Sequence, residues 1–477
     1  MVPGKSLEKI TASGVLMTVP ALHRFGAAAA LAATVVVAVA ATPPRLDRGS
    51  SASQAEVTFS DTRLKNGLRV IISEDHHAPV YSIAVSYNVG SRNERRGRTG
   101  FAHLFEHMMF KGSENVGPGE HFMLIFNNGG NMNGTTNKDR TLYYESLPTN
   151  QLDLGLYLEA DRMRSLVINK DNLDNQRNAV QEERRLGVDN NPYGHTFEAI
   201  DSLAYDNFSY QHSVIGSMAD LSAASVEDVQ NFFRTYYAPN NAVIAIVGDV
   251  KTADCLAKVR KYFEGIPRQP DPDPVDMTEK PRNAERRIAM EDALARLTRI
   301  DISYIVPPSS DADDAAISVL ATVLGSGRSS RLYEAVVHQG QLASNVGAFK
   351  GESRGPGLFQ FNATVNPGKN VADVEKTIYA EIEKVKAAPP ADWEVEKART
   401  SAKRGMVGQL QSSLSRAISL AQDAMFYNEP GRINTRAARL AAVTPADVQR
   451  VAKKYLVPEN RSVIVTTPKA AAGRGGN

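Results

Sequence analysis

Asp228-Val229-Gln230, then Tyr236, Pro239 and Asn241, lead into the apolar run Ala242 to Val247; Asp447-Val448-Gln449, then Tyr455, Pro458 and Asn460, lead into Ser462 to Thr466. Each matched pair is separated by the same 219 positions. Agreement across a helix, a turn and a strand marks two copies of one unit, so the body reads as a duplicated α/β domain. Between the copies, Pro267-Arg-Gln-Pro-Asp-Pro-Asp-Pro274 places four prolines in eight residues, an extended connector that divides the body into halves of similar size.

Working outward, Leu68 to Ser73 and Ser82 to Val89 carry strand patterns, and Phe101 to Phe110 and Glu120 to Asn127 carry helical ones. Asn131 to Thr136 and Thr141 to Ser146 form a hairpin around Asn137-Lys138-Asp139, followed by helices near 150–165 and 171–187. The second half repeats the order: strands near 286–291, 298–305, 343–349 and 357–365, with helices near 311–338 and again up to 426. The expected class is α+β, two homologous domains, each a mostly antiparallel sheet packed with helices. The boundaries fall at a signal peptide (1–40), a linker (41–56), the N-terminal domain (57–266), the Pro-rich linker (267–283), the C-terminal domain (284–468) and a disordered tail (469–477).

The chain has 477 residues, 42% hydrophobic and 23% charged, which excludes wholesale disorder and collagen-like repetition. Lys and Arg number 55 against 53 Asp and Glu, a net charge of +2. A neutral body gives no electrostatic reason for a nucleic-acid or anionic-membrane partner, and no integral membrane partner is implied. Cys255 is the one cysteine, so there is no intrachain disulfide and no all-Cys metal site; a metal must use His, Asp or Glu. Lys5, Lys9 and Arg24 precede an apolar stretch, Phe25 to Ala41, that contains Ala38-Val39-Ala40 and is stopped by Pro43-Pro44. This reads as a cleaved signal peptide, with a membrane anchor at 25–41 as the alternative. Either places the body outside the cytoplasm, in the periplasm for a signal peptide.

The chemistry lies in Phe101-Ala-His-Leu-Phe-Glu-His-Met-Met-Phe110. On a helix His103 and His107 stand one turn apart with Glu106 on the same side, so two imidazoles can hold Zn²⁺ while the carboxylate reaches its water. With 9 His in the chain, about 0.01 chance occurrences of H-x-x-E-H are expected. The other histidines, such as His76, His121, His195 and His212, have no such context and read as surface or satisfied polar groups. A catalytic zinc needs a third protein ligand and an open position. In Asn178-Ala-Val-Gln-Glu-Glu-Arg-Arg-Leu186, Glu183 falls near the centre of the stripe made by Leu173, Ala179, Val180 and Leu186, whereas Glu182 lies on its edge.

His103-Leu-Phe-Glu106-His107 with the later Asn178-Ala-Val-Gln-Glu-Glu183 resembles the pitrilysin/insulinase family of zinc peptidases, the inverzincins. It is most similar to the short branch with mitochondrial processing peptidase and its bacterial relatives. Gly129-Gly-Asn-Met-Asn-Gly-Thr-Thr136 and Asp139-Arg-Thr-Leu-Tyr143 also match, and the likeness covers nearly all of 57–467. It implies one Zn²⁺ per chain held by His103, His107 and Glu183, with Glu106 as general base. It also implies an extended peptide paired to the strand around Asn133, Gly134 and Thr135. Gln176 replaces a glutamate that many members carry before the third ligand, and is a candidate for a supporting contact.

A second departure concerns the second half. Members carry an Arg and a Tyr there that bind substrate and stabilise the oxyanion; here the places hold Val337 and Ser344, with Arg331 and Tyr333 as possible substitutes. Thr322, Gly325 and Ser326 stand opposite His103, Glu106 and His107, so this half is metal-free. The resemblance therefore implies a heterodimer with a homologous subunit that lacks H-x-x-E-H and supplies the Arg/Tyr pair. The expected function is a zinc endopeptidase acting on extended short or unfolded peptides. The alternatives are a noncatalytic peptide-binding or scaffold homologue, which would normally have lost a ligand or the base, and a different zinc hydrolase such as an amidase.

Overall fold

The two matched segments form the same helix, turn and strand in the structure, a computed structural model in which residues 56–469 are described. The recurring residues have specific tasks. Asp228 closes a capping box with Ser225 at the start of helix Val226–Tyr236, and Asp447 does so with Thr444 at helix Pro445–Tyr455. Pro239 and Pro458 each open a 3₁₀ turn. Asn241 Nδ2 donates to the Tyr236 carbonyl at 2.8 Å and Asn460 Nδ2 to the Tyr455 carbonyl at 2.9 Å, satisfying a carbonyl left over at the helix end.

The first sheet contains β1 (Ser60–Arg63), β2 (Arg69–Glu74), β3 (Val80–Tyr87), β4 (Asn131–Thr136), β5 (Thr141–Pro148) and β6 (Ala242–Gly248), in the order β1-β2-β6-β3-β5-β4. The second contains β7 (Arg286–Asp292), β8 (Arg299–Val306), β9 (Ala343–Lys350), β10 (Gly357–Val365) and β11 (Arg461–Pro468), in the order β7-β11-β8-β10-β9. Each sheet has one parallel pair, β2 with β6 and β7 with β11; all other pairs are antiparallel. β4 and β9 are edges.

Both faces of the first sheet are covered. Leu68, Ile83, Tyr143, Ile244 and Ile246 pack under helices of the same half, including Phe101–Met108. On the other face Ile71, Ala84, Leu142, Val243 and Ala245 meet Ala417, Leu420, Ala421 and Ala424 of helix Ser413–Tyr427, which comes from the second half. This is why Ala242–Gly248 is buried at every residue rather than alternately. The exchange is reciprocal: helix Gly194–Ala204, from the first half, lies against the second sheet through Ile200 and Ala204 beside Leu358 and Ile464. The two helices start at residues 194 and 413, again 219 positions apart.

The connector 267–283 carries no regular structure, and the helix expected over 311–338 is shorter, Asp314–Gly325, with a separate π turn at Tyr333–Gln339. The signal-peptide and anchor readings of residues 1–41, the linker as far as 55 and the tail from 470 lie outside the described residues. Among the described residues no helix is long and apolar enough to cross a membrane.

Candidate active site

Helix Phe101–Met108 begins at Gly100, whose φ of 85° is left-handed and which has no side chain to cap the helix. The buried Glu94 does so instead, accepting the N–H groups of Gly100 and Ala102, each at 2.8 Å. Further along the helix, Tyr143 of β5 donates its hydroxyl to the Phe105 carbonyl at 3.2 Å. The Tyr143 ring lies 4.5 Å under the wholly buried Arg162, which also lies 5.3 Å over Phe110 and forks onto Glu159. The helix carrying the histidines is thus tied at its start and braced along its length.

His103 and His107 aim their Nε2 atoms at one oxygen of Glu183, at 3.5 and 3.2 Å. Ligand atoms about 2.1 Å from a tetrahedral zinc stand about 3.4 Å apart, so this spacing fits the ion. Burial also lowers both imidazoles, His103 to about 4, which keeps them in the neutral form that binds metal. Gln176 is buried within hydrogen-bonding reach of His107. Glu106 is held above the usual carboxylate range by burial, with the hydroxyl and N–H of Thr136 pulling the other way.

The structure brings Glu183 beside the two histidines, but not by the apolar stripe that singled it out. Its side chain is 51% exposed, and Ala179 and Leu186 face solvent too; the buried positions of helix Lys170–Arg184 are Leu173, Gln176 and Val180. The helix unwinds into a π turn at Arg185–Asp189, which carries Leu186 off the stripe. Glu183 faces the histidines across an open side of the site. Its neighbour Arg184 is anchored by both oxygens of Glu198, at 2.5 and 2.9 Å, and by the Gly216 carbonyl at 2.8 Å.

The β4 edge runs beside Glu106. The Asn137–Arg140 bond closes the hairpin, so Asn131, Asn133 and Thr135 pair with β5 while the N–H groups of Met132, Gly134 and Thr136 point outward. Gly134 lies against Glu106: a Cβ there would stand 3.0 Å from Glu106 Cγ. Asn133 Oδ1 accepts the Gly134 N–H at 2.8 Å, so a strand added to this edge must displace that amide. Thr135 accepts Arg140 through its carbonyl at 2.9 Å and its hydroxyl at 2.7 Å.

Two contributors went unassigned in the sequence: Glu94, whose signal is an acid shortly before Gly100, and Arg140, whose cation acts on Glu106. Arg331 is no substitute for the family Arg, because Glu394 takes it at 2.7 Å through both oxygens. Ser344 sits exposed at the start of β9, its hydroxyl donating to the Thr364 carbonyl at 3.3 Å. His121 and His212 are not surface groups: each has a buried Nε2 without a partner among the described residues. His121, Glu145 and Glu159 converge, but Arg162 already occupies Glu159. Burial pushes the Glu145 carboxyl well above the usual carboxylate range and the His121 imidazole well below its own, so both favour the uncharged form.

Residues 69–217 match the family model for insulinase (peptidase family M16), and residues 223–402 match that for the peptidase M16 inactive domain. The zinc protease PqqE of Helicobacter pylori is 30% identical over 409 residues, 85% of this chain and 92% of the relative. The probable mitochondrial-processing peptidase subunit beta of Arabidopsis thaliana is 26% identical over 423 residues, 85% of this chain and 78% of its own. The crystal structure of a protease from Helicobacter pylori superposes with a TM-score of 0.83 at 29% identity, covering 86% of this chain and 100% of the other. Family matches over both halves, and one mixed α/β fold shared with the solved protease, agree: this chain belongs to the peptidase M16 (insulinase) family.

Proposed function

We propose that the chain is the catalytic subunit of a zinc endopeptidase, with His103, His107 and Glu183 as ligands of one Zn²⁺ and Glu106 as general base. The observation that carries the reading is the convergence of two Nε2 atoms on one Glu183 oxygen, at 3.5 and 3.2 Å. When bound, zinc supplies a Lewis acid for the scissile carbonyl and a water whose pKa falls toward about 7. Glu106 takes the proton of the attacking water and returns it to the leaving amine. Asn133, Gly134 and Thr135 receive the peptide as an added strand, which restricts substrates to extended short or unfolded chains. Gln176 orients His107 from behind.

The Arg/Tyr pair that polarises the substrate in relatives has no counterpart at Val337 and Ser344, and a homologous subunit without H-x-x-E-H supplies it. That one relative is a subunit beta supports this reading, as does the metal-free second half. Residues 57–266 form the zinc domain and 284–468 its homologue, exported to the periplasm by a signal peptide within 1–40. Full metal with lost turnover separates this enzyme from a noncatalytic homologue. Glu106→Gln is expected to keep the zinc content of the wild type while peptide turnover falls about 10²–10⁴-fold; undiminished turnover would refute the role of Glu106. Digestion of a peptide library with and without the co-expressed homologous subunit tests the partner, and full activity of the chain alone would overturn it.

A further inference from the structure

A cavity of about 550 Å³ lies in the second half, between helices Asp314–Gly325, Asp392–Leu410 and Arg432–Ala441 and the wall Lys350-Gly351-Glu352 that follows β9. Arg432, Arg436 and Arg439 line it from one face of the third helix. Two of the three are matched: Arg436 pairs with Asp423 at 2.6 Å and Arg439 with Glu429 at 3.3 Å. Arg432 is different. It is 8% exposed, lies 3.8 Å over the Tyr427 ring and donates to the Ser309 carbonyl at 3.0 Å. Its Nε has no partner, and no carboxylate among the described residues stands within 4.0 Å of it. Asp423 feels its charge without touching it. A buried guanidinium with no carboxylate in contact, facing a cavity also lined by Asp311, Asp314, Glu352 and Asp447, is a fork open to an anion.

The internal duplication sharpens this. At the counterpart positions, 219 residues earlier, the first half has Ser213, Ser217 and Asp220, and Ser213 and Ser217 line a different hollow together with Arg184 and Glu198. The counterpart positions therefore carry two serines and an aspartate in one copy and three arginines in the other. The cavity is also joined to the catalytic half. The loop after the Lys350–Glu352 wall docks on the β4–β5 turn, Arg354 N–H donating to Asp139 at 3.0 Å and Gly355 N–H to the Tyr210 hydroxyl at 2.8 Å. Glu352 and Arg140 feel each other's charge, as do Arg140 and Glu106.

We propose that this cavity is a subsite for a carboxylate carried by a peptide, its free C-terminus or an acidic side chain, with Arg432 as the group that takes it. The proposal rests on the peptidase reading and adds a substrate preference to it. The test uses the full-length, zinc-loaded Glu106→Gln chain and two pairs of fluorescent extended peptides: free acid against C-terminal amide, and internal Asp against Asn. In one pair the carboxylate member is expected to bind about tenfold tighter, the worth of a charge-assisted contact, and the responding pair identifies the source. Arg432→Met should erase that ratio and Arg432→Lys retain part of it. If Arg432→Met does not fold, Met406→Trp, which fills the cavity from helix Asp392–Leu410, should erase it instead.

Equal binding within both pairs, or a ratio that survives in a folded cavity variant, would overturn the proposal. The two readings fail separately. Wild-type chain that, with the co-expressed homologous subunit, cleaves both members of each pair equally, with no ratio in binding, removes the subsite alone. Chain that binds with the ratio but cleaves nothing, even with the co-expressed homologous subunit, removes the peptidase reading alone.

Discussion

Gly134→Ala tests the placement of the general base. An ideal Cβ at residue 134 would lie 3.0 Å from Glu106 Cγ, 3.3 Å from Tyr143 Cδ1 and 3.4 Å from Glu106 Oε1. Carbon atoms rest at about 3.5–4.0 Å, so one neighbour must give way by about 0.5 Å. Tyr143 is held by the Phe105 carbonyl and by Arg162 stacked on its ring, and Glu106 is the group that moves. If a displacement of about 1 Å costs about 10²-fold, half of it costs about tenfold in kcat. Alanine keeps the outward N–H of the edge strand, so KM and zinc content stay at wild-type values, and the crowding costs about 1–3 kcal/mol of stability. Steady-state kinetics on a fluorogenic extended peptide, with metal analysis of the same samples, reads both. A kcat within about twofold of wild type, or loss of zinc, would refute the reasoning.

Arg331→Ala should lower stability by about 1–3 kcal/mol, because it strands the buried Glu394 carboxylate, and leave kcat unchanged; a fall in kcat in the folded variant would restore Arg331 as a substrate contact. Glu198→Gln loosens Arg184 beside Glu183 and should speed zinc loss to a chelator, while an unaltered rate would show that Glu183 is positioned by other means. Burial pushes Asp423 up to about 7, above the ~3.9 of an unfolded chain. The folded state holds this proton through that interval, so the group's contribution to stability is greatest below pH ~4 and declines as pH rises toward ~7. Asp423→Asn should therefore flatten the dependence of Tm on pH between those limits, and an unchanged slope would show that the group is ionised throughout.

The duplicated architecture was legible because its recurring residues do local work. Asp228 and Asp447 cap helices and Asn241 and Asn460 close turns, and such contacts lie within a few residues of sequence. The two histidines were legible for the same reason, their spacing being a property of one helix. Glu183 was found through a stripe that the structure does not keep, since periodicity assumes 3.6 residues per turn and the helix changes pitch after Arg184. The fork of Arg331 on Glu394 and the exchange of helices between halves were not legible. Each joins elements distant in sequence, and no local pattern distinguishes an apolar helix face that covers its own sheet from one that covers another.

That exchange has a consequence for how the molecule is made. Helix Gly194–Ala204 leaves the ribosome long before β8 and β11, the strands it will shield, and the first sheet waits for Ser413–Tyr427 to cover its second face. Neither half can finish while the other is missing, so the nascent polypeptide keeps greasy sheet surface in the open until its final sixty or so residues are synthesised. A body that closes only when complete stays open to chaperones for as long as it is being made.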